Sequence, residues 1–269
     1  MKDATLRDPL HAVQLSQGPR RVLAVHCTMA QSGAWKGVAK RLNGLVGLTA
    51  FDLPGHGRSA DWDGDGDLAE SVATRGCDLL DGPTDLVGHS FGAVVALRMA
   101  QMRPETVRTL TLVEPVLMCA ARGSAALDAH DRQARPLRDM LARGDREGAA
   151  RHFNAMWSTA DAPGWLDLAP AARAGMIRAI PLVEACDAAL YDDALGLYAP
   201  GQLENMTCPV QLIRGTETHP VIGVINDALA ARLPDAENKI IAGAGHMVPI
   251  THAIQTATEI RAFFDRHPA

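Results

Sequence analysis

The pentapeptide Gly88-His89-Ser90-Phe91-Gly92 constrains the fold of this chain more than any other stretch. It directly follows the short run Thr84-Asp85-Leu86-Val87 and opens the apolar helical run from Phe91 to Met102. A serine between a strand and a helix, with glycine two positions to either side, belongs on a tight turn where neighbouring backbone segments approach closely. Its hydroxyl then projects at the C-terminal edge of a sheet. The helix N-terminus beneath it offers free N–H groups and a positive dipole end to a developing negative charge. Ser90 is thus the candidate nucleophile and the Phe91 N–H a candidate oxyanion donor.

On either side of this turn, short apolar or β-branched runs alternate with helical patterns, the mark of a mostly parallel sheet flanked by helices. Strands are expected over residues 11–15, 22–26, 48–53, 84–88, 107–113, 210–214 and 239–242, the first of them antiparallel. Helices are expected over residues 33–42, 68–80, 91–102, 221–233 and 251–267. Residues 117–200 hold no convincing strand, only Ala/Leu/Arg-rich helical stretches broken at Gly144, Pro163-Gly164, Pro170, Pro181 and Pro200-Gly201. The fold class is therefore α/β. Residues 1–116 and 201–269 form one core, and a helical cap over residues 117–200 is inserted into it rather than standing as an independent domain.

Composition narrows the function. A chain of 269 residues that is 47% hydrophobic buries one substantial core. The net charge of −5 and the 4% aromatic content offer neither the basic surface nor the stacking platforms of nucleic-acid binding. No apolar run reaches membrane-spanning length. The opening residues lack the apolar stretch of a signal peptide. Five scattered cysteines without C-x-x-C spacing point to free thiols, and the location expected is the cytoplasm. The acidic, glycine-rich stretch 61–67 reads as a loop, since it lacks the terminal glutamate of a calcium loop, and no metal site is assigned. The expected partner is a small-molecule substrate, with no nucleic acid and no membrane; oligomeric state is not legible.

A serine hydroxyl needs a base within hydrogen-bond reach. Of ten histidines, His246 is the candidate, because Gly243-Ala244-Gly245-His246-Met247-Val248-Pro249 is a glycine-flexed loop between the last strand and the last helix. His56, His219 and His252 read as polar turn residues, and His89 should point away from Ser90.

The segments VHCTMAQSGAW, FDLPGHGRS, GHSFG, PVQLIRG and GAGHMVP together resemble the α/β-hydrolase superfamily, specifically its capped, lipase-like members: carboxylesterases, lactonases and carbon–carbon bond hydrolases. The resemblance covers nearly the whole chain outside the cap and implies the α/β-hydrolase fold, a Ser-His-acid triad and no cofactor. By position, the second oxyanion N–H belongs to Thr28, helped by Met29. Two departures stand out. The family opens its oxyanion loop with His-Gly, whereas His26 is followed here by Cys27, whose side chain should tilt the loop and narrow the pocket. The family's usual acid position is Thr218 here, leaving Glu217 one residue earlier and Glu114, 24 residues after Ser90, as alternatives. Glu114 matches relatives such as the haloalkane dehalogenases, whose acid ends that same strand.

The expected function is hydrolysis of a small ester, thioester or lactone through an acyl-enzyme on Ser90. The alternatives are carbon–carbon bond hydrolysis of a diketone-type compound by the same triad, or a hydrolase-like small-ligand receptor. His26, Met29, Trp35, Met118, Trp157 and Met247 are the expected pocket residues.

Overall fold

Alternation of apolar side chains to the two faces of each strand forces helices onto both sides of the sheet. In the computed structural model, which describes residues 9–268, Leu23 and Val25 face one core while Val22 and Ala24 face the other. Seven strands form the sheet: β1 (Ala12–Gln14), β2 (Arg20–Val25), β3 (Val46–Phe51), β4 (Thr84–His89), β5 (Val107–Val113), β6 (Val210–Gly215) and β7 (Ala236–Ile241). Their spatial order is β1-β3-β2-β4-β5-β6-β7, with β1 antiparallel to β3 and every other pairing parallel.

One face carries α2 (Leu68–Cys77), α3 (Phe91–Met102) and α9 (Pro220–Ala230); the other carries α1 (Lys36–Leu42) and α11 (Ala253–Arg266). The chain leaves β2 for β3 on one side, then returns to place β4 on the other. This reversal of strand order opens a crevice at the C-terminal ends of β2 and β4, the usual ligand position in open α/β sheets. At the opposite end, buried Asp85 of β4 accepts bidentate bonds from Arg20 of β2 and from Arg108 of β5. A buried carboxylate is tolerable only when so paired, and the pairing fixes the three central strands relative to one another.

Between β5 and β6 run α4 (Ala125–Ala142), α5 (Arg146–Met156), α6 (Pro170–Ala179), α7 (Pro181–Ala185) and α8 (Asp187–Tyr191), with no strand among them. Ser124 and Asp145 cap α4 and α5 through bonds to Leu127 N and Gly148 N. Gly144, at φ 76°, makes the turn that separates the two helices. Leu137, Ala149, Ala150, Trp165 and Ile180 form a small core of this insertion's own.

Most elements shift by a few residues at their ends from the sequence reading, and two differences have a clear physical cause. β7 spans Ala236–Ile241 rather than 239–242, because it pairs residue for residue with β6 from Ala236 onward. As an edge strand it needs no continuous apolar run to mark its start. The final helix is split into α10 (Val248–Thr251) and α11, since His252 leaves helical geometry at φ −124° and ψ 44°. No helix of the described residues is long and apolar enough to cross a membrane. All five cysteines are free and buried.

Candidate active site

The turn after β4 is built by steric exclusion. A Cβ on Gly88 would lie 2.3 Å from the Gly92 carbonyl oxygen, and one on Gly92 would lie 2.4 Å from the His26 carbonyl oxygen. Only glycine at both positions lets α3 start immediately above β2. Ser90 itself is held at φ 57° and ψ −120°, and its N–H donates to Val113 O at 2.9 Å. Among the described residues, four non-glycine residues have positive φ, and three of them converge here: Met29, Ser90 and Glu114. Such conformations cost on the order of 1–3 kcal/mol each and persist only where surrounding structure over-determines them.

Three side chains from three strand ends meet in a line. Ser90 Oγ lies 3.0 Å from His246 Nε2, and His246 Nδ1 lies 3.0 Å from Glu114 Oε2. Glu114 ends β5, and its carboxylate also accepts from Gly215 N at 2.6 Å and from the Thr218 hydroxyl. Glu217 lies elsewhere: it is exposed, and its carboxylate meets only the hydroxyl of neighbouring Thr216 at 3.2 Å. Of the two acids open at the sequence level, Glu114 is thus the one beside His246. Thr218, at the family's usual acid position, donates a hydrogen bond to the carboxylate that has taken its place. The loop carrying His246 is held from below by His89, whose Nε2–H donates to His246 O at 2.8 Å. His89 thus anchors the loop that carries His246; its position next to the serine gave no signal of this.

The loop after β2 lies beside the turn, because Val25 of β2 pairs with Gly88 of β4. Thr28 and Phe91 both line the cavity at Ser90. The N–H of Phe91, in the first turn of α3, has no carbonyl within its own helix to receive it. The loop's shape comes from further off. Asp52 at the end of β3 accepts from Ser32 N and Arg58 N, folding residues 52–59 so that His56 Nε2 accepts from Met29 N at 2.9 Å. His56 is therefore an internal brace of the loop after β2 rather than a surface turn residue. The Cys27 side chain lines the space beside Ser90, and burial pushes its thiol up to about 12, so it packs rather than reacts.

Of the pocket candidates, Met29, Met118, Trp157 and Met247 line cavities adjoining or continuous with the Ser90 site. His26 and Trp35 do not. His26 is fully buried, with Nε2 accepting from Leu53 N at 2.9 Å and Nδ1–H donating to Cys27 O at 2.7 Å; both ring nitrogens are spent holding backbone. Trp35 is 1% exposed in the core between the sheet, α1 and α11. Its place in a helical turn that continues into α1 aims it at the sheet rather than at the crevice. Residues missed from sequence are His130 and Tyr191, which come from α4 and α8 to line the cavity at Ser90. Trp157 lies against the His246 ring, centroids 4.1 Å apart.

Burial dominates the protonation chemistry. It lowers His246 to about 3, with the neighbouring His219 adding to the effect; it also pushes Glu114 upward, against the bonds from Thr218 and Gly215 that favour its carboxylate form. His246 is thereby kept as the neutral imidazole a base requires. Burial likewise lowers His26 and His89 to about 3 and His56 to about 4. These four histidines stay neutral in the fold but take up protons once unfolded. Each therefore removes stability as pH falls below the unfolded value of about 6.5, at up to about 1.4 kcal/mol per pH unit. The melting temperature is expected to fall steeply from pH 6.5 to pH 5, as followed by circular dichroism. A flat profile across that window would contradict neutral burial of these rings.

A profile of the alpha/beta hydrolase family matches residues 22–259. Polyketide synthase ThaQ of Burkholderia thailandensis is 31% identical over 262 residues, 93% of this chain, which spans only 12% of that protein's length. Lipase LipV of Mycobacterium tuberculosis is 29% identical over 266 residues, covering 91% of this chain and 93% of the lipase. The pimeloyl-[acyl-carrier protein] methyl ester esterase of Methylococcus capsulatus is 29% identical over 260 residues, covering 92% and 95%. Among solved structures, wild-type Cfl2 from Burkholderia cenocepacia superposes with a TM-score of 0.73 at 21% identity, over 95% of this chain and 92% of that one. With its seven-stranded sheet, strand–serine–helix turn and near full-length match to the family profile, the chain belongs to the alpha/beta hydrolase family.

Proposed function

We propose that this protein is a serine hydrolase that cleaves an ester bond through an acyl-enzyme on Ser90. The observation that carries the reading is the unbroken chain from Ser90 Oγ through the His246 ring to Glu114, with both contacts at 3.0 Å. The lipase and the methyl ester esterase among its relatives support the same bond type.

His246 Nε2 takes the Ser90 proton as Oγ attacks the acyl carbon. The N–H groups of Phe91 and Thr28 hold the oxyanion, beside the buried Ser90 and His246. Glu114 keeps the Nδ1–H tautomer and stabilises the imidazolium. His246 then returns the proton to the leaving oxygen, and water releases the acyl group by the same steps in reverse. The helices over residues 117–200 act as a cap, and Trp157 excludes water from the ring it covers.

A fluorophosphonate probe tests the reading directly. Wild type is expected to label stoichiometrically and Ser90→Ala not at all, with mass spectrometry placing the adduct on residue 90. Failure of the wild type to label would overturn the hydrolase reading in favour of a ligand-binding protein without turnover.

A further inference from the structure

The space around Ser90 is divided into two unlike compartments. The first is a cavity of about 60 Å³ beneath the helical insertion, lined mostly by apolar surface from side chains such as Met118, Leu137, Met156 and Leu190, with Arg138, Glu184 and Asp187 also on its lining. The second is a vestibule of about 70 Å³ that contains His246. Thr28, Ser90, Phe153 and Trp157 line both, so the two compartments meet at the nucleophile and are divided by the two aromatic rings. His246 lines only the vestibule.

The vestibule leads on. Met29, Met176 and Met247 line both it and an open cleft of about 680 Å³ between α6 and the body, where Gly55, Gly57 and Gly175 leave the walls bare. These three methionines come from the oxyanion loop, from α6 and from the residue after the base, and together they form a neck. Unbranched thioether side chains adapt to a slender occupant and close behind it.

Chemistry orients the substrate in these compartments. The base that activates Ser90 must afterwards protonate the leaving oxygen, so the leaving group has to lie on the His246 side of the reacting carbon. The acyl group then takes the side that has Ser90, Thr28 and Phe91 but not His246. We infer that the cavity under α4, α5 and α8 holds a short apolar acyl group, and that the leaving group is a long, slender alcohol threading the methionine neck into the open cleft. This assignment rests on the serine-hydrolase reading and adds the substrate class to it.

Isomeric esters test it, because hexyl propanoate and propyl hexanoate share formula, bond type and intrinsic reactivity. The expected kcat/KM favours hexyl propanoate by at least tenfold, since a six-carbon acyl chain overfills the small cavity while a hexyl alcohol has the neck and cleft. Met176→Trp, which narrows the neck, is expected to lower the hexyl-to-methyl propanoate ratio of kcat/KM at least tenfold. Ala134→Phe, which fills the acyl cavity, is expected to lower the propanoate-to-acetate ratio among hexyl esters. Ratios within one enzyme are insensitive to the amount of folded protein. Equal or reversed preference between the isomers, or a hexyl-to-methyl ratio unmoved by Met176→Trp, would overturn the assignment. No turnover of any of these esters together with no fluorophosphonate labelling would instead remove the hydrolase reading on which it stands.

Discussion

Replacing Ser90 with alanine is expected to lower kcat for any ester substrate by about 10⁶, and His246→Ala by nearly as much, with the double variant no worse than either single one. On the proposed mechanism the two side chains act as one device. Oγ is a nucleophile only while Nε2, 3.0 Å away, can accept its proton. The imidazole in turn has no acid–base task at this site without that hydroxyl. Residual activity should come from the Phe91 and Thr28 N–H groups and from substrate binding alone. Stability should change little in Ser90→Ala, because alanine removes no buried charge pair and the strained turn at φ 57° is held by Gly88 and Gly92 around it. Single-turnover kinetics with circular dichroism of each variant checks both points. Independent, multiplicative losses in the double variant would separate the two residues.

Glu114→Gln is expected to lower kcat by about 10⁴, whereas Glu217→Gln should stay within twofold of wild type. Glutamine at position 114 keeps the shape but can present an amide N–H to Nδ1. It would then favour the tautomer with the proton on Nε2, which cannot accept from Ser90. The same change also removes the negative charge that stabilises the imidazolium. Gly215 N–H and the Thr218 hydroxyl both donate to the carboxylate, so the substitution leaves one of these donors facing another N–H group. Glu217 is exposed and meets only Thr216. Measuring kcat on a propanoate ester separates the two residues in one experiment. Equal and mild losses would remove Glu114 from the role assigned to it.

The contrast between these two glutamates shows where sequence reasoning stops. Both follow parallel neighbours, β5 and β6, paired with Val113 opposite Ile213, so both emerge at the same C-terminal edge of the sheet as Ser90. Spacing alone leaves them equivalent. What separates them is that Glu114 turns at φ 51° and points inward, a consequence of contacts with Gly215 and Thr218 about a hundred residues further along the chain. Histidines show the same limit. His26, His56 and His89 all sit in family-like segments, and their neighbours in sequence give no hint that each braces a backbone N–H or carbonyl of a distant loop.

By itself the sequence determined the α/β alternation, the helical stretch between β5 and β6, and the serine turn with its histidine in the last loop. Those features are local: strand periodicity, glycine where a Cβ would collide, and a helix N-terminus directly after a strand are written in adjacent residues. Only the tertiary structure decided which acid meets His246, which pocket candidates face the cavity and which are core, and how the space at Ser90 is divided. Each of these depends on side chains brought together from positions such as 114 and 246, 132 residues apart, where the packing of a whole sheet and its helices sets direction and distance.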